Sequence, residues 1–280
     1  MRSPFISIIV PVLNGADTIE SCLESVFSQS YTGWELVVID GGSTDCTTDI
    51  LRSHENKISY WSSELDHSIA HAWNKGLSAV GGEWIYFLGC DDRLYEGKVL
   101  ETASSYLEKA GAEHIKLVYG RVNIVDSQGR TIETKGGPWT GIRETFFTKG
   151  MAIPHQGSFH SCELFNKYGK FDESFKIGAD YEMLLRCLKK EKPLYMPDVI
   201  VANMSDRGLS NTAASLINVF REQITARKKN GLSTPFFWRL AQLTGLYTAA
   251  AARRLFGDRT GNRLLDLYRM LLTGKPPKWS

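Results

Sequence analysis

Trp84-Ile85-Tyr86-Phe87-Leu88-Gly89-Cys90-Asp91-Asp92 is the stretch on which the fold turns: an apolar run bounded by Gly82 and Gly89 leads directly into two adjacent carboxylates. Such a run reads as a buried strand. The carboxylates then stand at a strand exit, where a sheet protein can hold a divalent cation over a phosphate. Hard oxygen ligands with open positions suit Mg2+ or Mn2+. An Asp-Asp pair also serves as a helix cap or a solvated turn, so the rest of the chain decides between these readings.

Upstream, Phe5-Ile6-Ser7-Ile8-Ile9-Val10 is rich in β-branched residues and ends at Pro11, which predicts a first strand. Ile19, Cys22, Leu23 and Val26 recur at helical spacing behind Asp17 or Thr18 as caps. Residues 34–39 predict a second strand, and the turn Asp40-Gly41-Gly42-Ser43-Thr44-Asp45 opens a helix through Leu51. A third strand is expected over Ile58-Ser59-Tyr60-Trp61 and a third helix from Ser68 to Ala79. Strands alternating with helices imply a parallel sheet. In such sheets ligands sit beyond the carboxyl ends of the strands, at the switch in strand order. Pro11 to Asn14, Asp40 and the Asp91/Asp92 pair all occupy such ends. Neither a GxGxxG motif nor a GxxxxGK motif with a following Ser or Thr is present, so dinucleotide and P-loop chemistry find no support.

Downstream the pattern changes. A helix from about Lys98 to Ala110 precedes strand-like segments at 116–125 and 131–134, joined by Asp126-Ser127-Gln128-Gly129. That arrangement resembles a hairpin, so this half is expected to be mixed or antiparallel. Ile153-Pro154-His155-Gln156 and Phe159-His160 lead to a helix over Cys162–Tyr168. Met183, Leu184, Cys187 and Leu188 form the apolar stripe of a further helix with Asp180 at its N-terminus. A carboxylate there is favoured by the helix dipole, so a simple cap stands beside any catalytic role.

With 280 residues, 42% hydrophobic and 23% charged, the chain can bury a full core in one large domain or two coupled halves. Its five scattered cysteines include no CxxC pair, so neither a disulfide framework nor a zinc site is indicated. A reducing compartment follows. Pro11 and Asn14 interrupt the first apolar stretch, so no signal peptide is expected and the cytoplasm is the expected location. The charge is uneven: residues 211–280 hold 12 Lys/Arg and 3 Asp/Glu, against 21 and 28 in the first 210.

That basic end contains Phe236-Phe237-Trp238-Arg239-Leu240, then Leu243, Leu246, Tyr247 and Arg253-Arg254. Its charge-free stretch from Leu240 to Ala252 is 13 residues, short of the roughly 20 needed to span a bilayer. One reading is an amphipathic surface over 236–272 in peripheral contact with an anionic membrane. The other is an ordinary helical extension packed on the preceding domain. Basic and aromatic residues do not interleave on a recognisable nucleic-acid module, so no nucleic-acid partner is expected.

Taken in order, VPVLNGADTI from Val10, VVIDGGSTDCT from Val37, SELD from Ser63, NKGL from Asn74, the Asp-Asp pair, HQGSF from His155 and GKFDESFKIGADYEMLLR from Gly169 resemble the family-2 glycosyltransferases of bacterial O-antigen and capsule polysaccharide assembly. The resemblance runs from about Ile6 to Ser210. It implies the α/β GT-A fold, a Rossmann-like nucleotide-sugar-binding sandwich with a mostly parallel central sheet, here with a C-terminal helical extension. The expected division is a catalytic domain over 1–210, with a nucleotide-sugar half (1–97) and an acceptor half (98–210), and an extension over 211–280.

The resemblance also implies roles. Asp40 would accept the imide N–H of the donor's base, beside Leu13 and Asn14. Asp66, Asn74 and Lys75 would frame the nucleotide and its diphosphate. Asp91 would face the ribose or a metal-bound water, and Asp92 would ligate Mg2+ or Mn2+. Asp180 would be the general base toward a glycan or polyprenyl-linked acceptor, with Glu182, Glu173 and Asp172 as alternatives. The reaction implied is inverting transfer from a nucleoside-diphosphate sugar, UDP being the expected nucleotide. His155 stands between an acceptor or phosphate contact and a structural role.

Three departures qualify the pattern. Leu13 replaces a base-stacking Tyr, Ser68 and His71 replace a Gly and an Asp, and Asp206-Arg207-Gly208 replaces a Gly-Gly loop in which Arg207 would meet donor phosphates. A sugar nucleotidyltransferase is the second enzyme class, but it needs a basic Gly-rich loop after the first strand, and none is present. A catalytically silent nucleotide-binding scaffold at the membrane is the third, marked by loss of Asp92 or Asp180; both are here.

Overall fold

Unbroken apolar runs make strands covered on both faces. All seven residues of Ile6–Val12 (β1) and all four of Trp84–Phe87 (β4) are buried. The computed structural model describes residues 5–206, 208 and 215–273. β1 pairs in parallel with Trp34–Asp40 (β2) on one side and β4 on the other, and β2 pairs in parallel with Tyr60–Ser63 (β3). The third strand thus lies two residues later than expected, because Ile58 turns into the core while the pairing follows β2 to Asp40. The helices Ile19–Phe27 (α1), Thr47–Ser53 (α2) and Ile69–Gly76 (α3) connect these strands. At α1 the expected cap is absent: the Thr18 hydroxyl donates to the Gly15 carbonyl instead (3.3 Å). At α3, Ser68 does cap, accepting from His71 N–H at 3.2 Å.

The second half is mixed. Arg93–Leu94 (β5) and Val99–Ala112 (α4) precede the hairpin Leu117–Val125 (β6) and Thr131–Lys135 (β7), which is antiparallel as expected. Trp139–Thr148 (α5), Ser158–Ser161 (β8), Cys162–Tyr168 (α6), Ala179–Leu188 (α7) and Leu194–Ser205 (β9) follow. β8 joins the halves, antiparallel to both β4 and β6, and the sheet runs β3-β2-β1-β4-β8-β6-β9-β5, with β7 beside β6. Successive strand residues face opposite sides. Ile8, Val10 and Val38 therefore enter a core with α1 and α4, while Ile9, Val37 and Phe87 enter one with α3, α6 and α7. Leu216–Lys229 (α8) packs on α7 through Ala226. Phe236–Phe256 (α9) and Asp258–Thr273 (α10) pair beyond it around Leu246, Ala249 and Leu265.

Because β2 and β3 extend from one side of β1 and β4 from the other, the switch in strand order falls between β1 and β4. That crevice is where an open parallel sheet places its ligand.

Candidate active site

The site has two parts. The first lies at the ends of β1, β2 and β3, where Val12, Asp40 and Ser63 stand in register. Asp40 is fully buried and its carboxylate accepts from Gly42 N–H (3.2 Å), Ser43 N–H (3.0 Å), the Ser63 hydroxyl (2.6 Å) and the Ser43 hydroxyl. Gly42 has φ +84°, a conformation that favours glycine and lets the turn fold back on the carboxylate. Asn14 (φ 50°) accepts from Thr44 N–H at 2.9 Å, and its own N–H donates to the Ser43 hydroxyl at 2.7 Å. Leu13 stays exposed beside Gly41 and Asp66. Asp66 is almost buried and lies 2.8 Å from Lys75 Nζ and 3.0 Å from His71 Nδ1. Burial works against the Lys75 ammonium, yet Asp66 and Glu64 outweigh it and hold the pKa above its usual value. His71, a departure from the family pattern, thus shares Asp66 with the lysine.

Asn74 is placed elsewhere. Its carboxamide donates to the Phe171 carbonyl (3.0 Å) and Glu173 (2.7 Å) and accepts from Phe171 N–H (3.0 Å). These bonds tie α3 to the 171–173 loop. Of the alternatives to Asp180, Glu173 is occupied by that bond, Asp172 pairs with Lys229, and Glu182 is buried against Arg186 (2.9 Å).

The second part is a cleft of about 420 Å3. Asp91, Asp92 and Asp180 all line it, together with Trp73, His155, Gln156, Lys135 and Lys176. Asp92 is buried and accepts from Ser205 N–H at 2.9 Å, which fastens the β4 exit to the end of β9. Burial first, and then its neighbour Asp91, push its carboxyl up to about 7; burial also raises Asp91. Both carboxylates converge over Gly89: a Cβ there would lie 2.6 Å from Asp92 Oδ2 and 3.0 Å from Asp91 Oδ1. Asp180 sits in the first turn of α7, accepting from Tyr181 N–H at 2.7 Å, and burial pushes it up to about 6.

His155 stacks on Phe87, with ring centroids 5.1 Å apart, beside Trp73 and His160. Burial, and then His160, hold its pKa well below the usual value. A neutral ring in an aromatic wall provides no cation for a phosphate. Gln156, Lys135, Lys176, Trp73 and the α8 residues Leu216, Val219 and Gln223 complete the cleft without having been singled out beforehand. Gln156 lay within the HQGSF motif, whereas α8 lies beyond residue 210 and gave no signal. Arg207 lies outside the described residues.

A family model described as Glycosyl transferase family 2 matches residues 7–168. The chain belongs to that family. Among its relatives, the PGL/p-HBAD biosynthesis glycosyltransferase of Mycobacterium bovis is 31% identical over 217 residues, 76% of this chain and 81% of the relative. S. aureus TarS solved with UDP-GlcNAc shares the fold at a TM-score of 0.60 and 17% identity, over 95% of this chain and 81% of the other. The mannosyltransferase PcManGT of Pyrobaculum calidifontis, solved with GDP-Man and Mn2+, does so at 0.60 and 18%, over 99% and 78%. This chain is a glycosyltransferase of GT-A fold.

A carboxyl whose folded pKa is raised contributes stability at low pH that is lost as pH rises through the folded value. With Asp92 at about 7 and an unfolded aspartate at about 4, the metal-free family 2 enzyme therefore loses stability as pH rises from about 4 to about 7, and the loss is nearly complete at about pH 8. Asp92→Asn keeps an acceptor for Ser205 N–H and cannot ionise. In EDTA at pH 8 it is expected to melt about 2–4 °C above wild type, with a smaller gain at pH 6. A lower melting temperature at pH 8 in differential scanning fluorimetry would overturn the assignment of a buried, strained charge.

Proposed function

We propose that this glycosyltransferase moves a sugar with inversion from a nucleoside diphosphate, UDP foremost, to a hydroxyl of a glycan or polyprenyl-linked acceptor. One observation carries the reading: a single cleft holds the Asp91–Asp92 pair and, separately, Asp180, all with raised pKa values. The donor's base would lie at Leu13, Asn14 and Asp40, with the hydroxyl of Ser43 or Ser63 turning away to free an acceptor on Asp40. Asp66, in the loop before α3, and Lys75, on that helix, would border the nucleotide.

The residues present fit a divalent cation. Two carboxylates converge over Gly89, and their raised pKa values register burial and, at Asp92, the like charge of Asp91. Among the described residues no group of three His, Cys, Asp or Glu side chains forms a closed cage. That suits Mg2+ or Mn2+, which complete their shells with phosphate and water. Asp92 and Asp91 would hold the ion, which offsets charge on the leaving diphosphate when bound. Asp180 takes the proton of the acceptor hydroxyl as its oxygen bonds the anomeric carbon and the bond to the diphosphate breaks. The aromatic wall of Trp73, Phe87 and His155 keeps that region dry.

The C-terminal helices support a membrane-borne acceptor. Among the described residues no helix is long and apolar enough to cross a bilayer. Yet Phe237, Leu240, Leu255, Phe256, Leu267 and Leu271 are exposed on α9 and α10, and residues 236–273 contain six Arg and two Asp. Apolar side chains among arginines match an anionic lipid surface.

Calorimetry is expected to find UDP binding that needs Mn2+ or Mg2+ and weakens in Asp92→Ala; equal affinity without metal sinks the metal assignment. Asp180→Asn is expected to keep UDP affinity and lose about 100-fold or more in transfer. A base must be deprotonated, so wild-type transfer should fall as pH drops through about 6; a flat profile from pH 5 to 8, or near-normal transfer by the variant, removes Asp180 from that role. In flotation assays the chain should rise with phosphatidylglycerol vesicles, less so in high salt or with Leu267→Glu. No flotation would leave α9 and α10 as a helical extension packed on the preceding domain, and self-association that Leu267→Glu dissolves would assign the surface to a second copy instead.

A further inference from the structure

Helix α8, past the end of the region that resembles the family, reaches back to the loop that carries the candidate base. Its Glu222 carboxylate accepts three successive backbone N–H groups, from Lys176 (3.1 Å), Ile177 (2.9 Å) and Gly178 (2.8 Å). These are the residues that lead into α7, where Gly178 is the N-cap and contributes no side-chain cap. A carboxylate on another helix thus accepts at the N-cap and holds the two residues before it, with its charge at the positive end of the helix dipole. The approach is close: a Cβ at Gly178 would lie 3.3 Å from the Glu222 Cβ, and one at Gly150 would run into Gln223. The next residue, Gln223, lines the cleft with Lys176, Gly178 and Asp180.

We propose that Glu222 is a positioning residue: from α8 it fixes the 176–178 loop and thereby the place of Asp180 in the cleft. The inference rests on the reading of Asp180 as the base. The remaining α7–α8 ties hold the helices together without it. Arg227 Nη1 meets the Tyr181 hydroxyl at 3.2 Å, Asn230 Nδ2 meets Glu182 at 3.3 Å, and Lys189 Nζ meets the Asn230 carbonyl at 2.7 Å. Removing Glu222 therefore loosens a loop and leaves the packing of the two helices.

Glu222 also acts at a distance. Asp91, Asp92, His155, Lys135 and Lys176 line the cleft with Asp180, and Tyr181 with Arg227 behind it adjoins Asp180 on α7. Burial is the main cause of the raised Asp180 pKa, opposed by backbone hydrogen bonds, and Glu222 is the charge that adds to the rise.

Glu222→Gln tests this, because the amide keeps the size but turns an N–H donor toward N–H groups. Loosening a reacting group by about 1 Å costs up to about 100-fold in rate. The variant is expected to lose about 10- to 100-fold in kcat at unchanged donor KM and UDP affinity, with the acid limb of its kcat–pH profile moved to lower pH. Gly178→Ala pushes on the same contact and leaves the charge. It should lower kcat without moving the limb. Unchanged kcat and an unmoved limb in Glu222→Gln, in a protein that still binds UDP, overturn the proposal. Should Glu222→Gln fail to fold, a Gly178→Ala enzyme with wild-type kcat overturns it equally. Failure of the underlying base assignment reads differently: Asp180→Asn would itself retain transfer.

Discussion

Parallel pairing on both sides of β1 is the constraint on which the site depends. It brings the ends of β1, β2, β3 and β4 to one edge of the sheet, although Asp40, Ser63 and Asp91 are far apart in sequence. Every candidate donor residue except those on α3 comes from that edge. The reversal of strand order between β1 and β4 then opens the crevice that the carboxylates border. A slip of one residue in β1 would send Ile8 and Val10 to the face that Ile9 occupies and dismantle both cores.

The site stores charge that the fold alone does not favour. Asp40 is buried yet receives four hydrogen bonds from its own turn and from Ser63. Asp92 is almost as deeply placed and accepts from Ser205, Gln156 and Gly89, yet burial and the like charge of Asp91 outweigh those bonds. The chain thus surrounds Asp40 with donors, whereas it leaves Asp92 beside a second carboxylate. This imbalance distinguishes a turn from a ligand, and a buried acid held near neutrality by burial and by a like neighbour belongs at a functional site. Asp180 differs again: its main burden is burial, so it can exchange a proton near neutral pH, which a base requires and a metal ligand does not.

The strands of the first half were legible because they are buried on both faces and so appear as unbroken apolar runs. β9 was not. Pro197 and Asp198 interrupt it, and its pairing with β6 changes register there, so no simple period survives. α5 escaped because only Phe146 on it is fully buried. Asn74 shows the limit of motif reading: it adjoins Lys75 in sequence but points about 100° away around the helix, toward Phe171 rather than Asp66. Glu222 had no signal to give, since its partners are backbone N–H groups 44 to 46 residues away.

The basic C-terminal region resolves into two uses of charge. On α8, Arg227 is buried against Tyr181 and Thr234, and Lys229 pairs with Asp172 and lies 3.5 Å from Glu182. Those cations answer the acidic body of the enzyme, so part of the excess seen in the sequence is spent internally. α9 and α10 carry few acids, and their exposed apolar residues sit among arginines. A uniform basic tail would bind any anionic surface equally along its length. This chain instead packs α8 on the helix bearing Asp180 and pairs α9 with α10 around Leu246, Ala249 and Leu265, so under the proposed function a lipid surface holding that hairpin would also hold α8, which lines the cleft through Val219 and Gln223.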